Sequence, residues 1–386
     1  MEKISLFDVA AEMGTLVQRI FAGAESMKDA ERFYDLLGTT MNLPVEQESA
    51  ITGRAVHNLV SLGDGDSARW LVEELEMQAQ LQYLPTESGH ERACLLFALP
   101  VVIPCGTSLQ RNVSDVSSFE ELHAILEESD VVSPVAEFAL LPRLLSYAEI
   151  FSLSYGQIRT LTLEFGGQVL SGLRTLEVPA SLASAPELEG AGCSPYVDLY
   201  FLVGLVSTVP RELEDVFPAL GDAPSKNNAR SKKDDGPSGF GESGAMTNGS
   251  AWEESFCPAF DGAFGALVGS LTVLPPDGLT SDLRRGLELS REIGMMRMFQ
   301  LNVPAGVQPM ARLSALTQVD NEWFVEVSCM SARGGEEIEI NRWSVLNHET
   351  ESEAMEALVE CLSGAVIEQE FPLANHSNPV GSLTLN

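Results

Sequence analysis

Trp323-Phe324-Val325-Glu326-Val327-Ser328-Cys329 decides the fold class. Val325, Val327 and Cys329 alternate with Phe324, Glu326 and Ser328, the period of a strand with one dry and one wet face. Asp320-Asn321 turns into it from a strand over Ala311–Val319, and Gly334-Gly335 turns out of it toward Ile338, Ile340 and Trp343. That is an antiparallel meander. Before it, Ala266–Leu274 reads as a strand closed by Pro275-Pro276-Asp277-Gly278, and Thr280 as the cap of a helix running toward Phe299. After it, Thr350 and Glu353 form a capping box ahead of a helix to Leu362, and a last strand covers Ala365–Phe371. The order β-α-β-β-β-α-β predicts an α+β sandwich, with helices on one face of an antiparallel sheet.

Upstream, Gly221–Ala251 holds no Leu, Ile or Val. Such a stretch buries too little apolar surface to offset its ordering entropy, so it reads as a flexible linker. Residues 1–88 read as a helical region. Leu6, Val9, Met13, Leu16, Val17 and Ile20 recur at helical steps, and Ser5 with Asp8 and Ser26 with Asp29 resemble capping boxes. Pro44 suits the first turn of a third helix, and Asp66 the N-cap of a fourth carrying Trp70, Leu71, Met77 and Leu81. Ala30–Leu37 and Ala68–Leu75 echo one another, each with two bulky apolar residues three positions in. Two copies fall short of a solenoid.

Residues 89–220 read as a second α+β unit. Ala93–Pro104 is apolar throughout, a fully buried strand or strand pair whose two prolines place at least one end at a sheet edge. Ser118 opens an acidic amphipathic helix, Pro142 suits a helix start, Gly166-Gly167 interrupts the stretch after it, and Val197–Val209 is another buried strand. The chain thus divides into 1–88 helical, 89–220 α+β, 221–251 linker and 252–386 α+β sandwich. This order, with the phrases Ile103-Pro104-Cys105-Gly106, Leu140-Leu141-Pro142 and Tyr200-Phe201-Leu202-Val203-Gly204, resembles an uncharacterised bacterial family of similar length, known only as a domain of unknown function. That family brings no established activity, so the resemblance implies no catalytic residue.

Charge narrows the partners. Asp and Glu number 56 against 23 Lys and Arg, a formal −33 over 386 residues. Such a surface repels phosphate backbones and anionic membranes, and favours solubility and basic partners. Lys226, Arg230, Lys232 and Lys233 form a small basic cluster inside the linker, next to Asp234 and Asp235. The first residues show no basic-then-apolar leader, and the longest apolar runs are too short to span a bilayer. Six scattered cysteines without paired spacing read as reduced thiols in a cytoplasmic, bacterial-type setting.

Site chemistry is thin. The five histidines are far apart, no C-x-x-C occurs, and His90 with Cys94 is the nearest approach to a metal pair. Asp64-Gly65-Asp66 starts like a calcium loop but lacks its later ligands, and Gly166, Gly167 and Gly172 lack the Lys-Ser/Thr of a phosphate loop. No metal and no cofactor is expected. Cys105, after a buried strand and before Gly106, is the one candidate nucleophile, and it would require a base. Arg284, Arg285 and Arg291 form a small basic face on one predicted helix, suited to one anion or to the chain's own acids. The reading is a cytosolic, non-enzymatic interaction or assembly protein, with a protein partner or self-association and neither nucleic acid nor membrane. The alternatives are an enzyme of unrecognised type, thiol-dependent at Cys105, and an acidic nucleic-acid mimic.

Overall fold

The computed structural model describes residues 6–23, 27–129, 131–179, 182, 195–217, 251–266, 271–319, 322–331, 336–346 and 349–369. The linker over 221–251 lies outside these, except that Ala251 already begins a helix. Ser5 and Ser26 lie outside them too. The architecture is α+β, with two antiparallel-dominated sheets behind a helical front.

Four helices, α1 Leu6–Phe21, α2 Met27–Thr40, α3 Val45–Ser61 and α4 Gly65–Gln80, pack around Met13, Phe33, Leu37, Ile51, Leu59 and Leu71. The echo noted in the sequence lands on α2 and α4, and its aromatic residues touch: the Phe33 and Trp70 rings are 5.4 Å apart. Asp64, not Asp66, caps α4, accepting from Ser67 N and from the Gln18 side chain. The helical stretch ends earlier than its periodicity suggests, because β1 begins at Leu81 and runs to Pro85.

The first sheet is built on two long strands, β2 Glu91–Pro104 and β4 Val197–Thr208, paired over twelve residues. Hairpin strand β1 pairs with the start of β2, while β3 Glu137–Ser146 pairs with β4. Pro142 therefore starts no helix. It sits in a β3 irregularity between Leu140 and Leu144, where a ladder N–H is not required. Odd residues of β2 (Phe97, Leu99, Val101, Ile103) face α5 Val116–Glu128 and α8 Ala251–Phe264. Even ones (Cys94, Leu96, Ala98, Val102) face α7 Tyr155–Leu170 and α9 Leu279–Asn302. A strand covered on both faces has no reason to alternate, which accounts for its continuous apolar run. Asp115, rather than Ser118, caps α5. Gly166-Gly167 does not interrupt α7: Gly166 lets the helix lie against Leu84 and Cys94, where a Cβ would collide. Short helix α6, Tyr147–Phe151, links β3 to α7.

The stretch at 266–274 contributes only the two-residue β5, Thr272–Val273, and this pairs with β2 of the first sheet, not with the meander. The second sheet is built from β6 Met310–Leu313, β7 Thr317–Val319, β8 Glu322–Met330, β9 Glu337–Ser344 and β10 Val366–Gln369. The expected single strand over 311–319 is two strands, both on one side of β8, and β10 lies parallel to β6. One face of this sheet packs on α9 and on α10 Glu351–Cys361 through Val325, Val327, Trp343, Met298 and Leu358. The other carries the ion pairs Arg312–Glu368 and Arg342–Glu326, but of the three β8 residues expected to be wet only Glu326 is partly exposed: Phe324 lies under the Arg342 guanidinium and Ser328 bonds Glu337, and both are buried. The 24-residue α9 serves both cores: Leu279, Leu283 and Leu287 pack on the first sheet, Met295, Met298 and Phe299 on the second. Gly278 precedes α9, and Thr280 is not its cap: Thr280 donates N–H and O–H to Gln80 Oε1. The Thr350–Glu353 box caps α10 as expected.

Candidate functional site

Cys105 follows the last residue of β2, and its N–H donates to Tyr196 O at 3.0 Å. Gly106 follows with φ of 80°, a left-handed conformation that suits glycine. Its N–H favours the ionised form of the Asp198 carboxyl. On β4, Asp198 and Tyr200 stand opposite Ile103 and Val101, and Ser146 of β3 stands opposite Tyr200. Arg111 and Arg143 converge beside Ser146 on Glu149, which is 2% exposed. Glu149 accepts from Arg111 Nη2, from Arg143 Nη2 at 2.7 Å, and from the Ser146 N–H and hydroxyl at 2.7 and 2.9 Å. One end of the first sheet thus carries a polar strip of Cys105, Asp198, Tyr200, Ser146, Glu149, Arg111 and Arg143. Burial pushes the Asp198 carboxyl and the Tyr200 hydroxyl above their usual ranges.

Among the described residues, the strip brings no histidine to the exposed Cys105 thiol. His90 sits at the hairpin turn, at the far end of a 14-residue strand, about 45 Å away at the rise of extended chain. His57 bonds Ser61 on α3. His123 bonds Phe138 O, and Phe138 faces Val206, whose β2 partner is Leu95, ten residues along from Cys105. His348 and His376 lie outside the described residues. His90 and Cys94 do not share a helix face either, because the segment is a hairpin and Cys94 is buried under α7. Among the described residues, no cluster of three or more His, Cys, Asp or Glu is arranged to hold a metal ion.

Three further charges are buried: Arg291, already part of the basic face read from the sequence, and Glu48 and Asp282, which carry no sequence signal because each answers a backbone group distant in the chain. Glu48, 1% exposed, projects from α3 to the start of α7, where it accepts from Ser154 Oγ at 2.6 Å and Gly156 N at 3.0 Å. It caps a helix 106 residues away, and burial raises its carboxyl above the usual range against those bonds. A cavity of about 280 Å³ opens beside it, lined by Met41, Pro44, Val45, Leu153, Gln157 and Thr160. Because α3 and α7 both begin here, Glu48 is itself the anion that two helix N-termini favour. A Cβ on Gly156 would fall on the Met41 carbonyl oxygen and 2.7 Å from Glu48 Oε2. We expect Gly156→Ala to cost about 1–3 kcal/mol, read as a lower urea midpoint at unchanged slope.

Asp282 on α9, fully buried, accepts from Ala98 N at 2.9 Å and Asp277 N at 2.8 Å. Arg291, 2% exposed, holds Glu349 through two nitrogens at 2.6 and 2.7 Å, donates to Ser344 O, and lies 4.1 Å over the Trp343 ring. Arg284 pairs with Glu76 at 2.6 Å, and Arg285 bonds Pro275 O beside Asp282. The three arginines of the predicted basic face are therefore engaged by the chain's own acids and carbonyls. Comparison of the chain with family models, with curated proteins and with solved structures finds no match.

Proposed function

We propose that the chain is a non-enzymatic interaction or assembly protein of a reducing, cytoplasmic space. The observation that carries this reading is the use made of buried charge. The five buried charged side chains among the described residues are Glu48, Arg143, Glu149, Asp282 and Arg291. Each fastens one element to another through a backbone group or an opposite charge. Groups so tied are scaffold, whereas catalytic acids and bases must reach a substrate. No helix among the described residues is long and apolar enough to cross a membrane. With net charge −33 the partner class is a basic or neutral protein surface. The test immobilises the full chain in native lysate and runs the purified chain by light scattering at micromolar concentration. A stoichiometric partner released by salt, or a defined oligomer, supports the reading, and neither would count against it. The same reading expects no shift of random duplex DNA at physiological salt.

A thiol-dependent enzyme remains the second reading, favoured by one observation: the exposed Cys105 lies in the polar strip with Asp198 and Tyr200. Brief alkylation of the native chain followed by mass mapping separates the two. We expect label at Cys105 and none at the buried Cys94 and Cys329, with Cys105 reacting no faster than a free thiol. Acceleration of about tenfold or more over a model thiol would favour the enzyme.

A further inference from the structure

We propose that His123 is a proton-sensitive latch on the segment that covers the free edge of β3. The edge of β3 is closed by two short pieces of chain. Residues 111–113 bond it at Pro142 and Leu144, and residues 174–176 bond it at Leu140. In the second piece Leu140 N donates to Arg174 O at 3.2 Å and Leu176 N donates to Leu140 O at 2.9 Å. The Arg174 side chain is anchored on α5, where its Nη2 bonds both oxygens of Glu127 at 2.9 and 3.1 Å.

One turn before Glu127 lies His123. Its ring is buried and stacked on Phe138, with centroids 3.9 Å apart and planes 6° from parallel. Nε2 is 3.0 Å from Phe138 O. A carbonyl only accepts, so Nε2 carries the hydrogen and Nδ1 of the neutral ring presents its lone pair. Nδ1 is buried, has no hydrogen-bond partner, and stands 3.9 Å from Glu127 Oε2. The charged groups acting on the ring are Glu127 of its own helix and Arg174 of the covering segment. From β3 it meets the ring and carbonyl of Phe138, while the acid of that strand, Glu137, pairs with Arg92.

A proton from solvent can enter only at Nδ1. It creates an imidazolium that competes with Arg174 for one carboxylate and repels the guanidinium. Burial and Arg174 both lower the proton affinity of the ring. Linkage is reciprocal, so the proton in turn disfavours the seated position of Arg174. The covering segment then opens more often, freeing the N–H and C=O of Leu140. Buried Leu176 keeps the closed form dominant at neutral pH.

The test is amide exchange at Leu140 and Leu176, corrected for intrinsic rate, at about pH 7 and about pH 5, which bracket the ordinary imidazole range. Protection at these two amides is expected to fall about fivefold on acidification, the scale of one exposed ion pair, while Phe165 in mid-α7 is unchanged. In His123→Gln protection should be independent of pH. In Arg174→Gln it should already be low at neutral pH and change no further, and this variant alone carries the test should the first not fold. Equal protection at both pH values in the native chain, a fall shared equally by Phe165, or a fall that persists in Arg174→Gln would overturn the latch.

Discussion

Replacing Glu149 by leucine should remove about 3–5 kcal/mol of folding free energy, the loss typical when one member of a buried ion cluster is deleted. In a domain worth about 5–15 kcal/mol that is a large fraction. The reason is geometric. Among the described residues, Glu149 is the carboxylate that Arg111 and Arg143 share, and it also takes the N–H and hydroxyl of Ser146. Arg143 is itself buried, with its second nitrogen on Leu182 O. Without the carboxylate, two cations lose the counter-charge they share in a poorly solvated corner. The Ser146–Glu149 capping box of α6 is lost as well. Urea titration should show the midpoint falling sharply. Adding Arg111→Met and Arg143→Met to Glu149→Leu should recover much of the loss, since apolar replacement of a whole buried cluster is often neutral. A single variant that unfolds at the native midpoint would show that the carboxylate does not hold the corner.

The contrast between these clusters and the parts readable in advance is one of distance along the chain. The strand at Phe324–Cys329 and the Thr350–Glu353 box are complete within a few residues, and both elements form, although Phe324 and Ser328 on the side read as wet are buried. Helix α8 has a local signal that the sequence reading passes over: Trp252, Phe256, Phe260 and Phe264 recur every four residues and pack on the first sheet. Pro258 and Gly262, and the polar stretch before them, mask that stripe. Gly262 in fact lets α8 approach α5, since a Cβ there would strike Ser118. Other features had no local signal. Nothing near Glu48 announces the start of α7, and nothing near Ala98 announces Asp282, 184 residues on. For Cys105, sequence correctly placed the thiol at a strand end. It could not show that Asp198, Tyr200 and Arg111 stand there while the described histidines, His57, His90 and His123, lie elsewhere, because strand pairing decides it.

The gap that Asp282 fills explains a proline in the longest strand. On the edge of β2 away from β4, β1 reaches only to Leu95 and β5 begins at Val101. Between them the outward-facing N–H groups lack a strand partner. Ala98 N turns instead to Asp282, and residue 100, two positions on and facing the same way, is proline, which has no N–H to satisfy. The Pro100 carbonyl takes Leu274 N as β5 arrives. From the sequence, the two prolines of this segment place at least one of its ends at a sheet edge. Pro100 lies inside the strand, on a stretch of edge that a helix residue completes.

Asp282→Leu should therefore orphan the buried Ala98 N, at about 1–3 kcal/mol, and also the part-buried Asp277 N of an exposed residue, at less because water can reach it. Asp282→Asn keeps one acceptor and turns an NH₂ on the other amide, so it should lose roughly half as much at neutral pH. The two variants also differ from the native chain in pH dependence. Burial raises the Asp282 carboxyl well above its ordinary value, outweighing Ala98 N–H, the nearby Arg285 and Asp277 N–H, which favour the ionised form. The folded chain consequently holds this proton more tightly than the unfolded one. Below the unfolded value, about pH 4, both states are protonated and the group contributes its full stabilisation. As pH rises from there toward the folded value, the unfolded state ionises first and stability falls, levelling off above it. Other carboxylates pull in their own directions, but they are common to native chain and variant and cancel in the difference. The stability of the native chain minus that of Asp282→Asn, measured by urea titration across this range, should thus decline as pH rises above about 4. A difference that rises with pH would mean that the carboxylate is held ionised by Ala98, Asp277 and Arg285. A flat difference would mean that its proton affinity is the same folded and unfolded.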